Sequence, residues 1–162
     1  MKKSIIILVL ILHGIAGMNF TGWCQNPDSV IVAALSAVHP DSMMNNVQAL
    51  QDMGTRFMIT PNRKQVANWL VDKFYMLGLT EVRLDSFQCY SQINYPPIVY
   101  DTTTWQYNVE AKITGSLFPE EEIIMIGHYD CVVQDEDPML VAPGADDNAS
   151  GTSALLECAR VI

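Results

Sequence analysis

The sequence is short of positive charge. Its 162 residues include 9 Lys and Arg against 18 Asp and Glu, a formal net charge of -9. That balance argues against a nucleic-acid partner, because phosphates need a basic face, and against adsorption to an anionic membrane. It leaves carboxylates available for a metal. No two of the four cysteines, Cys24, Cys89, Cys131 and Cys158, form a close pair with metal-binding spacing. There is no internal repeat and no low-complexity tract. The N-terminal apolar run, Ile5 to Leu12, falls well short of the roughly 20 residues that a membrane-spanning helix needs.

What that run does fit is an export signal. Lys2 and Lys3 precede it, and the small residues Gly14, Ala16 and Gly17 follow. This is the order of a secretory signal peptide, here residues 1–25, with cleavage between Ala16 and Gln25. The mature chain is then expected to be secreted or periplasmic, with no stable membrane span. If Cys24 leaves with the signal, three cysteines remain and cannot all pair. Cys89 and Cys158 read as buried free thiols.

The remainder, 26–162, has a hydrophobic content suited to one packed domain (49% of the whole sequence). A helical pattern over Asp28–Val38 is broken by Pro40. A second helix is expected from Met43 to about Met53, capped by Ser42 and ended by Gly54. Thr60 and Pro61 suit the start of a third, in which Ala67, Leu70, Val71, Phe74 and Leu77 recur at helical spacing until Gly78. Val82, Leu84, Phe87 and Tyr90 suggest a strand. Residues 91–104, with two prolines, read as a loop. Trp105, Tyr107, Val109 and Ala111 alternate with polar neighbours as a half-buried strand does. Ile123–Ile126 is a short continuous apolar run suited to a strand buried on both faces. A final helix is expected from near Ala149, still running at Ile162. These elements predict an α/β domain with a mixed sheet.

Two motifs bear chemistry. The first, Gly127-His128-Tyr129-Asp130, leaves the apolar run at the end where α/β folds place binding sites. His128 is a candidate metal ligand. Asp130 is its candidate orienting partner, since a ligating imidazole passes its other ring proton to an acceptor such as a carboxylate. The second, Pro143 to Gly151, sets Asp146 and Asp147 between small residues just before a helix. Helix capping by Asp147 or Asn148 would explain one polar residue there. It does not explain the flanking glycines, which suggest close backbone approach. Imidazole and carboxylate together are ligand types that zinc accepts.

The strings IIMIGHYD and APGADDNASGTSALLE resemble the catalytic signature of the M28 family of zinc aminopeptidases. GTRFMITPNRKQVANWLVDKF and YNVEAKITG are similar to earlier family segments, so the likeness runs from about Gly54 to the end. The resemblance implies a three-layer zinc-peptidase-like fold, a mixed central sheet flanked by helices, incomplete here at the C-terminus. It implies two zinc ions, with His128 binding one, Asp130 hydrogen-bonding that histidine, and Asp146 bridging both. The peptide between Asp146 and Asp147 is expected to be cis. The implied activity is hydrolysis of N-terminal residues from peptides by metal-activated water. The family's general base and remaining ligands are expected beyond Ile162, so this chain alone is expected to be inactive and to hold metal poorly. Two alternatives share the fold. One is a glutaminyl cyclase with a single zinc, which Asp147 to Gly151 disfavours. The other is a catalytically inactive binding domain.

Overall fold

The computed structural model describes residues 28–95 and 98–162. The expected signal segment, 1–25, lies outside the described residues. The chain divides into two units, one running to Ala33 and one from Ala34 to Ile162. Of the first, Asp28–Ala33 is described. Asp28 opens helix α1 (Ser29–Ser36), its carboxylate accepting the Val30 N–H at 2.8 Å and its carbonyl the Val32 N–H at 3.0 Å. No residue of α1 is buried.

The second unit holds helices α2 (Pro40–Asp52) and α3 (Arg63–Met76), strands β1 (Glu81–Tyr95) and β2 (Ile98–Lys112), a wide helical turn over Ala145–Ser150, and helix α4 (Gly151–Val161). Helix α2 starts earlier than its expected Met43. Pro40 opens the helix instead of only breaking the one before, because its missing N–H has no partner in a first turn anyway. Gly54 and Gly78 follow α2 and α3 with left-handed φ of 75° and 91°, a conformation that glycine adopts without Cβ strain. Thr60 does not cap α3. Its hydroxyl lies 2.7 Å from both Phe57 O and Asn62 Oδ1, closing the turn ahead of the helix. Helix α3 buries Val66, Ala67 and Leu70 and packs on both strands.

The hairpin is longer than expected. Its antiparallel register runs unbroken from Glu81↔Lys112 to Tyr95↔Ile98, so most of the stretch expected as a loop over 91–104 is paired strand. The two prolines, Pro96 and Pro97, lie outside the described residues. β2 alternates in burial but slips phase at Gln106, which is half-buried because its amide donates to Met58 O at 2.7 Å. Trp105 stays exposed.

The strand expected at Ile123–Ile126 is not formed. Residues 121–130 have no regular structure, and Ile123 and Ile126 are 95% and 88% exposed. A strand needs a neighbour to satisfy its backbone groups. In the described sheet, β1 and β2 pair only with each other. The described fold is thus helices with a two-stranded antiparallel sheet.

The core is formed by Leu50 of α2, Val66 of α3 and Ala149 of the wide turn, with Val47, Met53, Trp69 and Tyr129 packed around them. Tyr129 stands between His128 and Asp130, and Ala149 lies two residues after Asp147. Both motifs are therefore anchored by packing against the core.

Candidate metal centre

His128 is held through its backbone and through one ring nitrogen. Thr152 Oγ1 of α4 donates to His128 O at 3.1 Å. The next residue, Tyr129, donates its hydroxyl to Tyr107 O of β2 at 2.7 Å. Burial and the nearby Asp130 charge push the Tyr129 phenol up to about 12, so it remains a donor at neutral pH. On the ring, Nδ1 lies 3.2 Å from both Asp130 Oδ1 and Asp130 O. An Nδ1–H facing those acceptors leaves Nε2 with a lone pair for a metal, and Nε2 is the atom that faces the second motif.

The second motif turns sharply. Gly144 has φ of 55°, and a Cβ there would collide with Cys131 Cβ and stand 2.8 Å from Arg56 Nη2. Only a residue without Cβ lets this loop lie against Cys131. Asp147 and Asn148 then leave helical geometry, with φ, ψ of -111°, 95° and -135°, 43°. This swings the two adjacent acids apart. Asp147 Oδ1 lies 3.2 Å from His128 Nε2. The Asp146 carbonyl accepts from Ser150 Oγ, and its carboxylate is exposed. The carboxylate beside His128 thus lies one residue after Asp146, the expected ligand. The cis bond shifts by one as well: it joins Asp147 to Asn148, not Asp146 to Asp147. The capping role falls to Asn148, whose Oδ1 accepts the Gly151 N–H at 3.0 Å, so the Asp147 carboxylate is not consumed at the helix start.

The residue that joins the motifs is Arg56, which the sequence reading did not single out. Only 2% exposed, it donates Nε to Tyr129 O (2.9 Å), Nη1 to Leu50 O (2.8 Å) and Pro143 O (3.0 Å), and Nη2 to Gly144 O (2.8 Å). Its backbone N–H meets Cys131 Sγ at 3.1 Å, and that thiol donates to Ala142 O at 2.7 Å. Burial pushes the Cys131 thiol up, so it stays protonated and structural. Cys131, not Cys89 or Cys158, is the fully buried thiol, and all three are free. The acidic loop Asp135-Glu136-Asp137 is partly fixed: Asp137 accepts from the Tyr100 hydroxyl at 2.6 Å and from the Met139 N–H at 2.9 Å. Glu157 is no ligand, since it is paired with Arg160 at 2.7 Å.

The donor set fits a zinc ion. Two donors on one tetrahedral zinc stand about 3.4 Å apart, given bonds of about 2.0–2.2 Å. His128 Nε2 and Asp147 Oδ1 are 3.2 Å apart, and both side chains reach solvent. Among the described residues, no group of three or more His, Cys, Asp or Glu converges to hold one ion, so these two donors form a partial shell.

The model of peptidase family M28 matches residues 108–162, which include both motifs. Over that segment the chain is similar to peptidase family M28. A probable zinc metalloprotease of Pyrenophora teres f. teres is 31% identical over 147 residues, covering 85% of this chain and 30% of that protein. A probable aminopeptidase of Saccharomyces cerevisiae is 28% identical over 133 residues, 82% of this chain and 33% of that protein. A probable leucine aminopeptidase of Trichophyton verrucosum is 26% identical over 137 residues, with coverage of 82% and 33%. The chain spans about a third of the length of these curated relatives. The M28 match begins inside β2 and takes in both motifs and α4, but not α2, Arg56, α3 or Tyr107.

Proposed function

We propose that this polypeptide is a zinc-dependent aminopeptidase that removes N-terminal residues from peptides, with His128 and Asp147 as metal ligands. The observation that carries the reading is the 3.2 Å approach of His128 Nε2 to Asp147 Oδ1. The names of the relatives support it: zinc metalloprotease and aminopeptidase. Asp130 holds the imidazole in the tautomer that exposes Nε2. Asn148 caps α4 and so spares Asp147. The Asp147 carboxylate, 79% exposed, has a second oxygen available for a second ion, which the two-zinc reading requires. Zinc held here supplies Lewis acidity, polarising the carbonyl of a bound peptide and acidifying water. A catalytic zinc usually takes three protein ligands and works with a base. Neither the third ligand nor the base is among the described residues, and we assign both to the rest of a longer polypeptide.

The reading extends to fold and location. In the complete enzyme Ile123–Ile126 becomes a strand of a mixed sheet in a three-layer fold, which would cover its four exposed apolar side chains. Lys2, Lys3 and the apolar run after them support export. No helix among the described residues is long and apolar enough to cross a membrane.

The test is zinc content and hydrolysis of an aminoacyl anilide by the full-length polypeptide, before and after chelation. Two zinc ions per chain, and activity lost with chelation and restored by zinc, are expected. A single ion with cyclisation of N-terminal glutamine, or metal-independent hydrolysis, contradicts the proposal.

A further inference from the structure

Arg56 is the most deeply buried cation described, yet its guanidinium hydrogen-bonds to no carboxylate. Four of its five N–H groups go to main-chain oxygens: Leu50 O, Tyr129 O, Pro143 O and Gly144 O. Burial lowers its pKa, while the charge of nearby Asp130 opposes that fall. A buried cation without a hydrogen-bonded counter-ion costs free energy that an apolar side chain would not. What the guanidinium supplies in return is a rigid planar fork. Its acceptors are not scattered. Tyr129 O lies between His128 and Asp130, and Pro143 O and Gly144 O lead directly into the turn that presents Asp147. The same residue's backbone pairs with Cys131 in both directions: Arg56 N to Cys131 Sγ at 3.1 Å, and Cys131 N to Arg56 O at 3.3 Å. One residue, in the segment between α2 and α3, thus grips both motifs, which are fifteen positions apart at Tyr129 and Gly144.

We propose that Arg56 is a positioning residue, whose fork sets the separation of His128 from Asp147 by holding Tyr129 O and Gly144 O on one rigid plane. The proposal deepens the zinc reading and rests on it wherever metal affinity is the readout. Lysine keeps the charge and loses the fork, so Arg56→Lys separates geometry from charge.

The test has two readouts on the full-length polypeptide. Hydrogen–deuterium exchange without metal reads the two loops directly. Competition with a chelator reads zinc affinity. Arg56→Lys and Arg56→Met are compared with Leu70→Ala, a control that empties a buried site in α3. In Arg56→Lys, the amides of 128–131 and 144–148 should exchange at least about tenfold faster, while β1 and β2 keep their protection. Zinc should be held about 10- to 100-fold more weakly, the usual effect of losing an outer-shell partner. Leu70→Ala should lower the melting temperature without either change. Arg56→Lys keeping wild-type exchange in both loops, or Leu70→Ala reproducing its full pattern, overturns the assignment. So does zinc affinity within twofold of wild type while the loops exchange faster. Wild-type protein that takes up no zinc fails the metal reading instead, and exchange alone then decides the role of Arg56.

Discussion

Asp146 and Asp147 are chemically the same and adjacent in sequence, and the backbone gives them different work. In a regular helix neighbouring side chains point about 100° apart. Here Asp147 sits at φ -111°, ψ 95°, outside helical geometry, so helical spacing cannot assign its direction. That is why the pair was legible as a site and the member facing His128 was not. Arg56 was hidden for another reason. Arginine is rarely buried, and a lone Arg in the segment after a helix reads as surface. Its role shows only when the distant carbonyls of Tyr129, Pro143 and Gly144 meet around it. Gly144 was legible, since a glycine before two acids suggests close approach. Gly144→Ala is expected to destabilise the protein by about 1–3 kcal/mol, from left-handed φ and the clash with Cys131. Urea unfolding checks this, and unchanged stability would mean that the loop does not press on Cys131.

At the scale of elements, α4 is tied back to the segment between α1 and α2 by one buried acid. Glu157 Oε1 accepts the His39 N–H at 2.5 Å and pairs with Arg160, whose guanidinium also donates to Ala37 O. The hydrogen bond from Arg160 holds the Glu157 carboxyl down to about 2, from an ordinary 4.5. A depressed carboxyl stabilises the fold above its unfolded value and loses that contribution as pH falls through its folded value. Glu157→Gln is therefore expected to cost on the order of 2 kcal/mol near neutral pH, with the difference from wild type shrinking from pH 5 towards pH 2. Urea titrations across that range check it. A difference that stays constant with pH would show that the ionised form is not what holds α4. The sequence showed the helices better than the sheet for a related reason. The stripe through Ala67 and Leu70 is satisfied within one helix and its neighbours. The hairpin extends through polar Thr102, Thr103 and Thr104 because β1 pairs with them, and that partnership leaves no apolar signal.

Across the whole molecule, the site is assembled from segments far apart in the chain. The segment between α2 and α3 brings Arg56, β2 anchors Tyr129, and the turn before α4 brings Asp147. The small core of Leu50, Val66 and Ala149 lies beneath them. The apolar run Ile123–Ile126 reads in sequence as a strand and forms none, because strand formation is a property of two partners and the described sheet offers it none. The family signature was legible because it depends on short-range chemistry: a histidine with an acid two residues on, and an acidic turn flanked by glycines.

The central claim is that His128 and Asp147 share a metal. Zinc affinity of the full-length polypeptide, measured by chelator competition for Asp147→Asn and Asp146→Asn side by side, tests it most directly. Asp147→Asn should weaken zinc binding by at least about a hundredfold, as loss of a direct ligand exceeds the usual 10- to 100-fold effect of an outer-shell change, with Asp146→Asn close to wild type. The reverse pattern, with Asp146→Asn losing zinc and Asp147→Asn keeping it, contradicts the claim.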